Sequence, residues 1–145
     1  MTHPRVSARE AHALVLEQGY VFLDVRSEPE FALGHPRGAY NVPLMHAGSG
    51  GLVENREFMS VIQAEFAREC KFVVGCQSGS RSHTAALLLL AAGYRDVVEQ
   101  RAGFEGTRDP FGRATEAGWR AAALPCSCDA LPGRDYAALM RRSQA

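Results

Sequence analysis

A cysteine stands where an apolar run gives way to small and polar residues, and this position could make its thiol a nucleophile. Residues 72–75 are apolar or glycine and predict a strand, whereas the apolar run from Ala85 to Ala92 predicts a helix. Cys76 therefore lies in a loop that faces the amino end of a helix. The first helical amides lack carbonyl partners and carry the positive end of the dipole, so they stabilise anions. Since the thiolate is the reactive form of cysteine, the pattern predicts a catalytic Cys76.

The residues that follow Cys76 suit a loop that wraps an anionic sulfur. Gly79 permits backbone conformations that are closed to other residues, and the serines are small enough to leave the amides exposed. Arg81 adds a permanent charge on a planar fork that suits oxyanions. We predict that the rest of this loop binds the sulfur and its anionic donor. The predicted binding residues are Gln77, Ser78, Gly79, Ser80, Arg81 and Ser82.

The loop from Cys76 to Ser82 resembles the active-site loop of the rhodanese family, sulfurtransferases that carry sulfur as a cysteine persulfide. An upstream stretch, from Phe22 to Phe31 and on from Gly34 to Pro43, resembles the strand, acidic helix and Gly-His segment of that family. The two motifs occur in the family's order and spacing. With the helix after Cys76, the similarity covers roughly residues 6 to 100. Two motifs in register are much more specific than a single Cys-x-x-Gly loop.

The alternation of strands and helices predicts an α/β sandwich around a parallel sheet. The resemblance implies a rhodanese-like three-layer sandwich, in which a mainly parallel sheet of about five strands has helices on both faces. We expect residues 1–125 to form the rhodanese-like domain. Residues 126–145 should form a C-terminal tail with a short helix from Arg134 to Arg142.

Several elements can be predicted in more detail from the apolar pattern. The run from Val21 to Val25 predicts a strand that is buried on both faces. The glycine-rich stretch 46–51 predicts a flexible loop, either a lid or a simple connection. Residues 54–70 have a helical distribution of apolar side chains. The helix over 85–92 is apolar almost all round, so we expect it to be largely enclosed.

Four other polar residues are assigned structural positions. Asp24 and Arg26 follow a strand at the edge where α/β sheets bind ligands, but a structural ion pair or loop anchor is favoured. His35 has a side chain that titrates near neutrality, yet the resemblance implies that it hydrogen-bonds neighbouring backbone. His83 follows the loop and is assigned to the surface of the first helical turn rather than to general-base catalysis.

Length and charge restrict the function classes. The 145 residues suit one domain with a substantial core. Acidic and basic residues balance at 16 each without long runs of one sign, so no nucleic-acid or membrane-surface partner is indicated. The first ten residues lack the apolar core of a signal peptide, and no apolar run approaches the roughly 20 residues that span a bilayer. We expect a cytoplasmic protein with reduced thiols.

The similarity weakens beyond residue 100. Many members of the family have paired glycines there, and in this chain the stretch Ala102-Gly103-Phe104-Glu105-Gly106 occupies that position. Trp119 comes late, after an extra segment from Thr107 to Ala117. This difference leaves open the rim of the pocket and therefore the preferred substrate.

Cys126 and Cys128 permit three interpretations. Zinc-binding cysteines usually have two to four residues between them and need two further ligands, which are not obvious here. Alternatively, the thiols could attack a persulfide or disulfide at Cys76, which would require a thioredoxin-like reductant. An incidental pair in a mobile tail is the favoured interpretation.

The resemblance implies a thiosulfate sulfurtransferase that needs no metal or organic cofactor. Sulfane sulfur would pass from thiosulfate or a similar donor, through a persulfide on Cys76, to a thiol or cyanide acceptor. A cysteine-dependent phosphatase or arsenate reductase is the first alternative, but such loops usually have five residues between cysteine and arginine, and here there are four. A non-catalytic rhodanese-like protein-binding module is the other alternative, although such modules often lack the cysteine.

Overall fold

A computed structural model describes residues 3–145 of the chain. The expectation about a signal peptide includes Met1 and Thr2, which lie outside the described residues. Within residues 3–145, none of the helices combines the length and apolar character needed to cross a membrane.

The described chain contains five helices and eleven short strands. The helices are α1 (Ala8–Glu17), α2 (Glu28–Leu33), α3 (Phe58–Glu65), α4 (Ser80–Ala91) and α5 (Tyr136–Ser143). The strands are β1 (Arg5–Val6), β2 (Val21–Asp24), β3 (His35–Pro36), β4 (Tyr40–Asn41), β5 (Met45–Gly48), β6 (Gly51–Glu54), β7 (Lys71–Gly75), β8 (Asp96–Gln100), β9 (Thr107–Arg108), β10 (Ala114–Glu116) and β11 (Cys126–Ser127).

Five of the strands form a parallel sheet in the order β1-β8-β7-β2-β4. In the register of this sheet, Leu23 lies beside Val74, and Val73 lies beside Val98. The predicted parallel sheet of about five strands is confirmed. Because the strands are parallel, the carboxyl ends of β2, β7 and β8 meet at one edge, which is where open α/β sheets bind ligands.

Helices cover both faces of the sheet, as predicted. Leu23, Phe72 and Val74 pack in one apolar cluster with residues of α3, α4 and α5. Phe22 and Val73 point to the opposite face and pack with residues of α1 and α2. This alternation follows from the two-residue period of a strand, and it gives the three-layer sandwich.

Serine and glutamate three residues apart begin two of the helices. At α1, the Ser7 hydroxyl accepts from the Glu10 amide at 3.1 Å, and the Glu10 carboxylate accepts from the Ser7 amide at 2.9 Å. At α2, the amide and hydroxyl of Ser27 donate to Glu30 Oε1 at 3.1 and 2.8 Å. These capping boxes satisfy amides that the helix leaves without partners, and the second one fixes Glu30 near the loop after β7.

Three of the detailed predictions are corrected by the structure. The stretch 46–51 belongs to an antiparallel hairpin of β5 and β6 rather than to a flexible loop. Only Phe58–Glu65 of the predicted helix over 54–70 is helical. Helix α4 is not enclosed all round, because Leu87 and Leu88 are 38% and 39% exposed. The sheet covers only one side of α4, so apolar character alone could not establish full burial.

The chain after residue 100 adds two small sheets and a helix. The segment Thr107–Ala117 contains the antiparallel pair β9 and β10. Strand β11 pairs with β3, so that Cys126 lies beside Pro36 and Ser127 beside His35. Helix α5 begins at Tyr136 instead of Arg134, because Asp135 caps it by accepting from the Ala138 amide at 3.2 Å. The tail therefore folds back along the domain.

Candidate active site

Cys76 follows β7 at the carboxyl edge of the sheet and is 3% exposed. Its Sγ accepts a hydrogen bond from the Gly79 amide at 3.1 Å. The thiol also lies 3.3 Å from the Ser82 hydroxyl, in the first turn of α4. A sulfur in this position faces the amino end of a twelve-residue helix, where backbone amides without carbonyl partners can donate to an anion.

The turn around Cys76 depends on the backbone of Gly79. This residue has φ +109°, a backbone angle that residues other than glycine rarely adopt. A Cβ at this position would lie 2.7 Å from the Arg101 carbonyl oxygen. Both the dihedral angle and the close contact require glycine, and together they direct the Gly79 amide towards the sulfur.

Residues 101–105 form the second wall of the loop. The amides of Phe104 and Glu105 donate to the carbonyls of Cys76 and Gln77 at 2.7 and 3.1 Å. Gly103 has φ +72°, and a Cβ there would overlap the backbone of Gln77. The positive φ and the close approach of the two backbones explain why residue 103 is glycine.

Arg81 makes an ion pair instead of pointing freely into the loop. Its two terminal nitrogens donate to the two oxygens of Glu30 at 2.7 and 2.9 Å. Burial alone would raise the pKa of Glu30, but the hydrogen bonds from Arg81 and Ser27 outweigh it and lower this pKa from 4.5 to about 2. Much of the positive charge predicted for donor binding is therefore balanced within the protein, and the role of Arg81 in binding the donor stays a prediction.

Asp24 and Arg26 form a buried ion pair at 2.8 Å, which confirms their structural assignment. The Arg26 guanidinium also donates to the Gly34 carbonyl at 2.6 Å and to Gln77 Oε1 at 3.2 Å. It thereby ties the Gly-His segment to the loop, and the side chain of Gln77 is held by Arg26.

His35 is fully buried, as expected of a positional residue. Its Nδ1 lies 2.7 Å from the Phe31 carbonyl, and its ring stacks on that of Phe31 with centroids 3.6 Å apart. The predicted hydrogen bond to neighbouring backbone is confirmed. His83 lies on the surface in the first turn of α4, also as predicted, with its side chain 55% exposed.

The other predicted loop residues differ in exposure. Ser78 and Ser80 are exposed, whereas Ser82 is fully buried beneath the loop. The Ser82 hydroxyl lies 3.0 Å from Glu99 Oε2 and 3.3 Å from the Cys76 sulfur. Ser82 therefore connects the nucleophile position to a carboxylate in β8.

The sequence reasoning missed Glu99. This residue is 0% exposed, and its Oε1 lies 3.0 Å from His3 Nε2 and 3.2 Å from Arg5 Nε. The sequence does contain a signal for a buried Glu99, because this residue follows two valines in a strand that leads to the binding edge of the sheet. A glutamate buried in such a strand requires specific partners.

Cys126 lies in β11, and Cys128 lies beside the end of α2. The Cys126 thiol donates to the Leu124 carbonyl at 3.3 Å, and the Cys128 thiol to the Leu33 carbonyl at 3.6 Å. Among residues 3–145, no hydrogen bond joins either sulfur to Cys76, and all four cysteines are free. Burial raises the pKa of the Cys126 thiol, which makes it a poorer nucleophile at neutral pH. Attack on a Cys76 persulfide stays a prediction that this geometry does not favour.

A small cavity of about 100 Å³ lies beside the loop. Its lining includes Arg26, Gln77, Phe104 and Glu105. A larger cavity of about 920 Å³ lies between the end of α4 and the start of β8, at the amino edge of the sheet. Of these two cavities, the small one lies at the carboxyl edge of the sheet, the edge at which Cys76 follows β7.

Comparison with known proteins agrees with this geometry. The family model described as rhodanese-like domain matches residues 7–109. Thiosulfate sulfurtransferase 16 of Arabidopsis thaliana, a chloroplastic protein, is 41% identical over 68% of this chain and 82% of its own length. Senescence-associated protein DIN1 of Raphanus sativus is 38% identical over 68% of this chain, and the match spans 54% of that longer protein.

A crystal structure supports the same relationship in three dimensions. Rv0390 from M. tuberculosis superposes with a TM-score of 0.73 and 28% identity, over 89% of this chain and 100% of that one. The sheet, the loop after β7 and these matches lead to one conclusion: the chain belongs to the rhodanese-like domain family.

Proposed function

We propose that this protein is a sulfurtransferase that moves sulfane sulfur through a persulfide on Cys76. The observation that carries the proposal is the bond from the Gly79 amide to the Cys76 sulfur, 3.1 Å long, at the amino end of α4. A backbone donor fixed against a sulfur stabilises the anionic forms that this sulfur takes during transfer. The similarity to a relative named thiosulfate sulfurtransferase supports thiosulfate as the donor.

The reaction is a double displacement. The Cys76 thiolate attacks the outer sulfur of thiosulfate, a new S–S bond forms, and the original S–S bond breaks with its electron pair leaving on sulfite. Cyanide or a thiolate then attacks the outer sulfur of the persulfide and takes it away, which regenerates the Cys76 thiolate. Sulfur changes carrier in both steps, and no external oxidant or reductant is consumed.

In this proposal the loop residues have different roles. The Gly79 amide holds the sulfur of Cys76. Ser78 and Ser80 are exposed, so their backbone borders the path of the incoming donor. Arg81 contributes a weaker attraction than a free guanidinium would, because Glu30 is bound to it at 2.7 Å.

The ion pair of Arg81 also bears on the phosphatase and arsenate reductase alternatives. A loop for a tetrahedral oxyanion would use the arginine fork to bind two of its oxygens. Here both terminal nitrogens of Arg81 bind Glu30 instead. Together with the four residues between Cys76 and Arg81, this arrangement favours sulfur transfer. A purely protein-binding module would have no use for the sulfur contact.

The decisive test compares two cysteine variants. Cys76→Ser should lower thiosulfate-to-cyanide transfer at least about 1000-fold, because the reaction needs the sulfur as nucleophile. Cys70→Ser is the matched control, since this half-buried thiol lies at the other edge of the sheet and burial raises its pKa to about 11. It should keep the wild-type rate.

Intact mass spectrometry after incubation with thiosulfate should show the gain of one sulfur atom in the wild type and in Cys70→Ser, but not in Cys76→Ser. Retention of a tenth of the wild-type rate by Cys76→Ser would contradict the assignment of Cys76. Circular dichroism spectra should show that both variants keep the fold.

A further inference from the structure

Two histidines and a glutamate meet behind the active-site loop, on the side of Glu99 that faces away from Ser82. His3 Nε2 lies 3.0 Å from Glu99 Oε1, and His83 Nδ1 lies 3.7 Å from the same oxygen. The potential ligand atoms of the three residues all lie within 4.8 Å of one another. The two imidazole rings are tilted by 50° relative to each other, with their centroids 5.3 Å apart.

This geometry suits a tetrahedral divalent metal ion. Ligand atoms about 2.0–2.1 Å from zinc are roughly 3.4 Å apart at a tetrahedral angle. The two separations from Glu99 Oε1, 3.0 and 3.7 Å, lie on either side of that value, and no pair of ligand atoms is more than 4.8 Å apart. Two imidazoles and a carboxylate are a ligand set that binds zinc and leaves a fourth position open.

The two oxygens of Glu99 have separate partners. Oε2 lies 3.0 Å from the Ser82 hydroxyl, whereas Oε1 faces His3, Arg5 and His83. A metal ion could therefore bind Oε1 without displacing Ser82. The side chain of His83 is 55% exposed, which gives an ion access from solvent.

A metal ion could replace the positive charge that now lies beside Glu99, and His3 is already held in a buried position. His3 has a side chain only 3% exposed, and its Nδ1 is buried without a hydrogen-bond partner. The buried Glu99 carboxylate has Arg5 as its permanently charged neighbour, and the side chain of Arg5 is 54% exposed. A surface arginine can swing into solvent, so a divalent cation can replace it beside Oε1.

We propose that His3, His83 and Glu99 form a binding site for a borderline divalent cation such as Zn²⁺, separate from the sulfur-transfer loop. The ion joins the chain before β1 to α4 and β8. The lone Nδ1–H of His3 lacks the supporting acceptor that tightens many zinc sites, so the ion should exchange readily. Cys126 and Cys128 are close in sequence and so resemble a metal-binding pair, whereas His3, His83 and Glu99 are dispersed along the chain.

Cobalt(II) and zinc binding to full-length protein without an affinity tag tests the proposal. Wild type should bind one equivalent of Co²⁺, with visible absorption of a four- or five-coordinate nitrogen and oxygen site and without thiolate charge-transfer bands. Zn²⁺ should displace the Co²⁺. His83→Ala should weaken binding at least about tenfold, whereas the control His46→Ala should bind as wild type does.

A second variant is expected to bind the metal ion more tightly. Arg5→Ala removes the cation that competes for Glu99 Oε1, so the site should bind Zn²⁺ more tightly, by about threefold or more. A cluster that serves only as an ion pair would bind no metal after this change. Addition of Zn²⁺ should also raise the Tm of wild type, because the ion binds only the folded chain, and should leave the Tm of His83→Ala almost unchanged.

Three results would overturn the proposal. They are binding of less than one equivalent of Co²⁺, thiolate bands in the cobalt spectrum, and equal affinity of His83→Ala and wild type. His83 is exposed, so its replacement should not unfold the protein. Thermal unfolding of the metal-free variants checks this point.

Discussion

Arg81 and Glu30 show how a single pair changes the chemistry expected from a motif. The arginine belongs to the loop, but its partner comes from α2, 51 residues earlier in the chain. The carboxylate is fixed by Ser27 on one side and by Arg81 on the other. The pair therefore fastens α2 to the amino end of α4, and its contribution to stability should depend on pH.

Glu30→Gln should destabilise the protein at neutral pH by about 1–3 kcal/mol. The folded-state pKa of Glu30 is about 2, below its usual value of 4.5. Stability from a lowered carboxyl pKa is fully present above the unfolded value and disappears as the pH falls through the folded value. The difference from wild type should thus shrink between about pH 4.5 and pH 2.

Urea unfolding at a series of pH values measures this difference. The exposed Glu17 is the matched control, and Glu17→Gln should unfold as wild type does at every pH. A difference for Glu30→Gln that stays constant down to pH 2 would show that the ionised carboxylate is not what stabilises the pair.

Among the elements, the junction of β7 and α4 determines where the sulfur lies. The strand ends at Gly75, the helix begins at Ser80, and Gly79 provides the left-handed turn between them. The segment from Arg101 to Glu105 fixes the turn by main-chain contacts. The site therefore depends on two loops that follow neighbouring strands of the sheet.

Gly79→Ala should reduce both stability and sulfur transfer. The alanine would have to adopt the positive φ of Gly79, and its methyl group would lie 2.7 Å from the Arg101 carbonyl oxygen. We therefore expect the free energy of unfolding to fall by about 2–4 kcal/mol. Gly112 is a matched control, because it has φ +82° but nothing within 4 Å of its Cβ position. Gly112→Ala should cost only the strain of its dihedral angle, about 1 kcal/mol.

Chemical unfolding and the initial rate of sulfur transfer distinguish the two variants. Gly112→Ala should keep the wild-type rate. If the two variants lost equal stability, the contact with Arg101 would not restrict the loop.

At the level of the whole molecule, the chain beyond residue 125 is part of the packed structure. Helix α5 lies against α3, and Tyr136 and Leu139 belong to the same apolar cluster as Phe72 and Cys76. The Tyr136 hydroxyl also lies within 3.2 Å of the Asn55 side-chain nitrogen. Segments far apart in sequence therefore share one core.

Leu139→Ala should destabilise the protein by about 2–5 kcal/mol, because it removes buried methyl groups and leaves a cavity. Leu139 is 1% exposed, whereas Leu16 is 70% exposed and serves as the control. Leu16→Ala should change the free energy of unfolding by less than about 0.5 kcal/mol. A single unfolding transition is expected for both variants. A small change in the free energy of unfolding for Leu139→Ala would mean that α5 unfolds separately.

Local pattern was enough to predict the strand, loop and helix around Cys76, and the order of strands and helices was enough to predict the layered sheet. Apolar periodicity and glycine positions reflect interactions between residues that are close in sequence, and these signals need no knowledge of the fold. The same signals did not determine the structure of segments whose conformation or burial depends on the surface they pack against. Stretch 46–51 could form a hairpin as well as a loop, and α4 could be covered on one side only.

The partners across the sheet were decided only by the tertiary structure. Glu30 meets Arg81, and Ser82 meets Glu99, because the strand order β8-β7-β2 brings the loops of distant segments to one edge. Gly103 is needed for a related reason, since the chain after β8 crosses the backbone of Gln77. Such contacts depend on distances between atoms far apart in sequence, and residue types alone do not specify them.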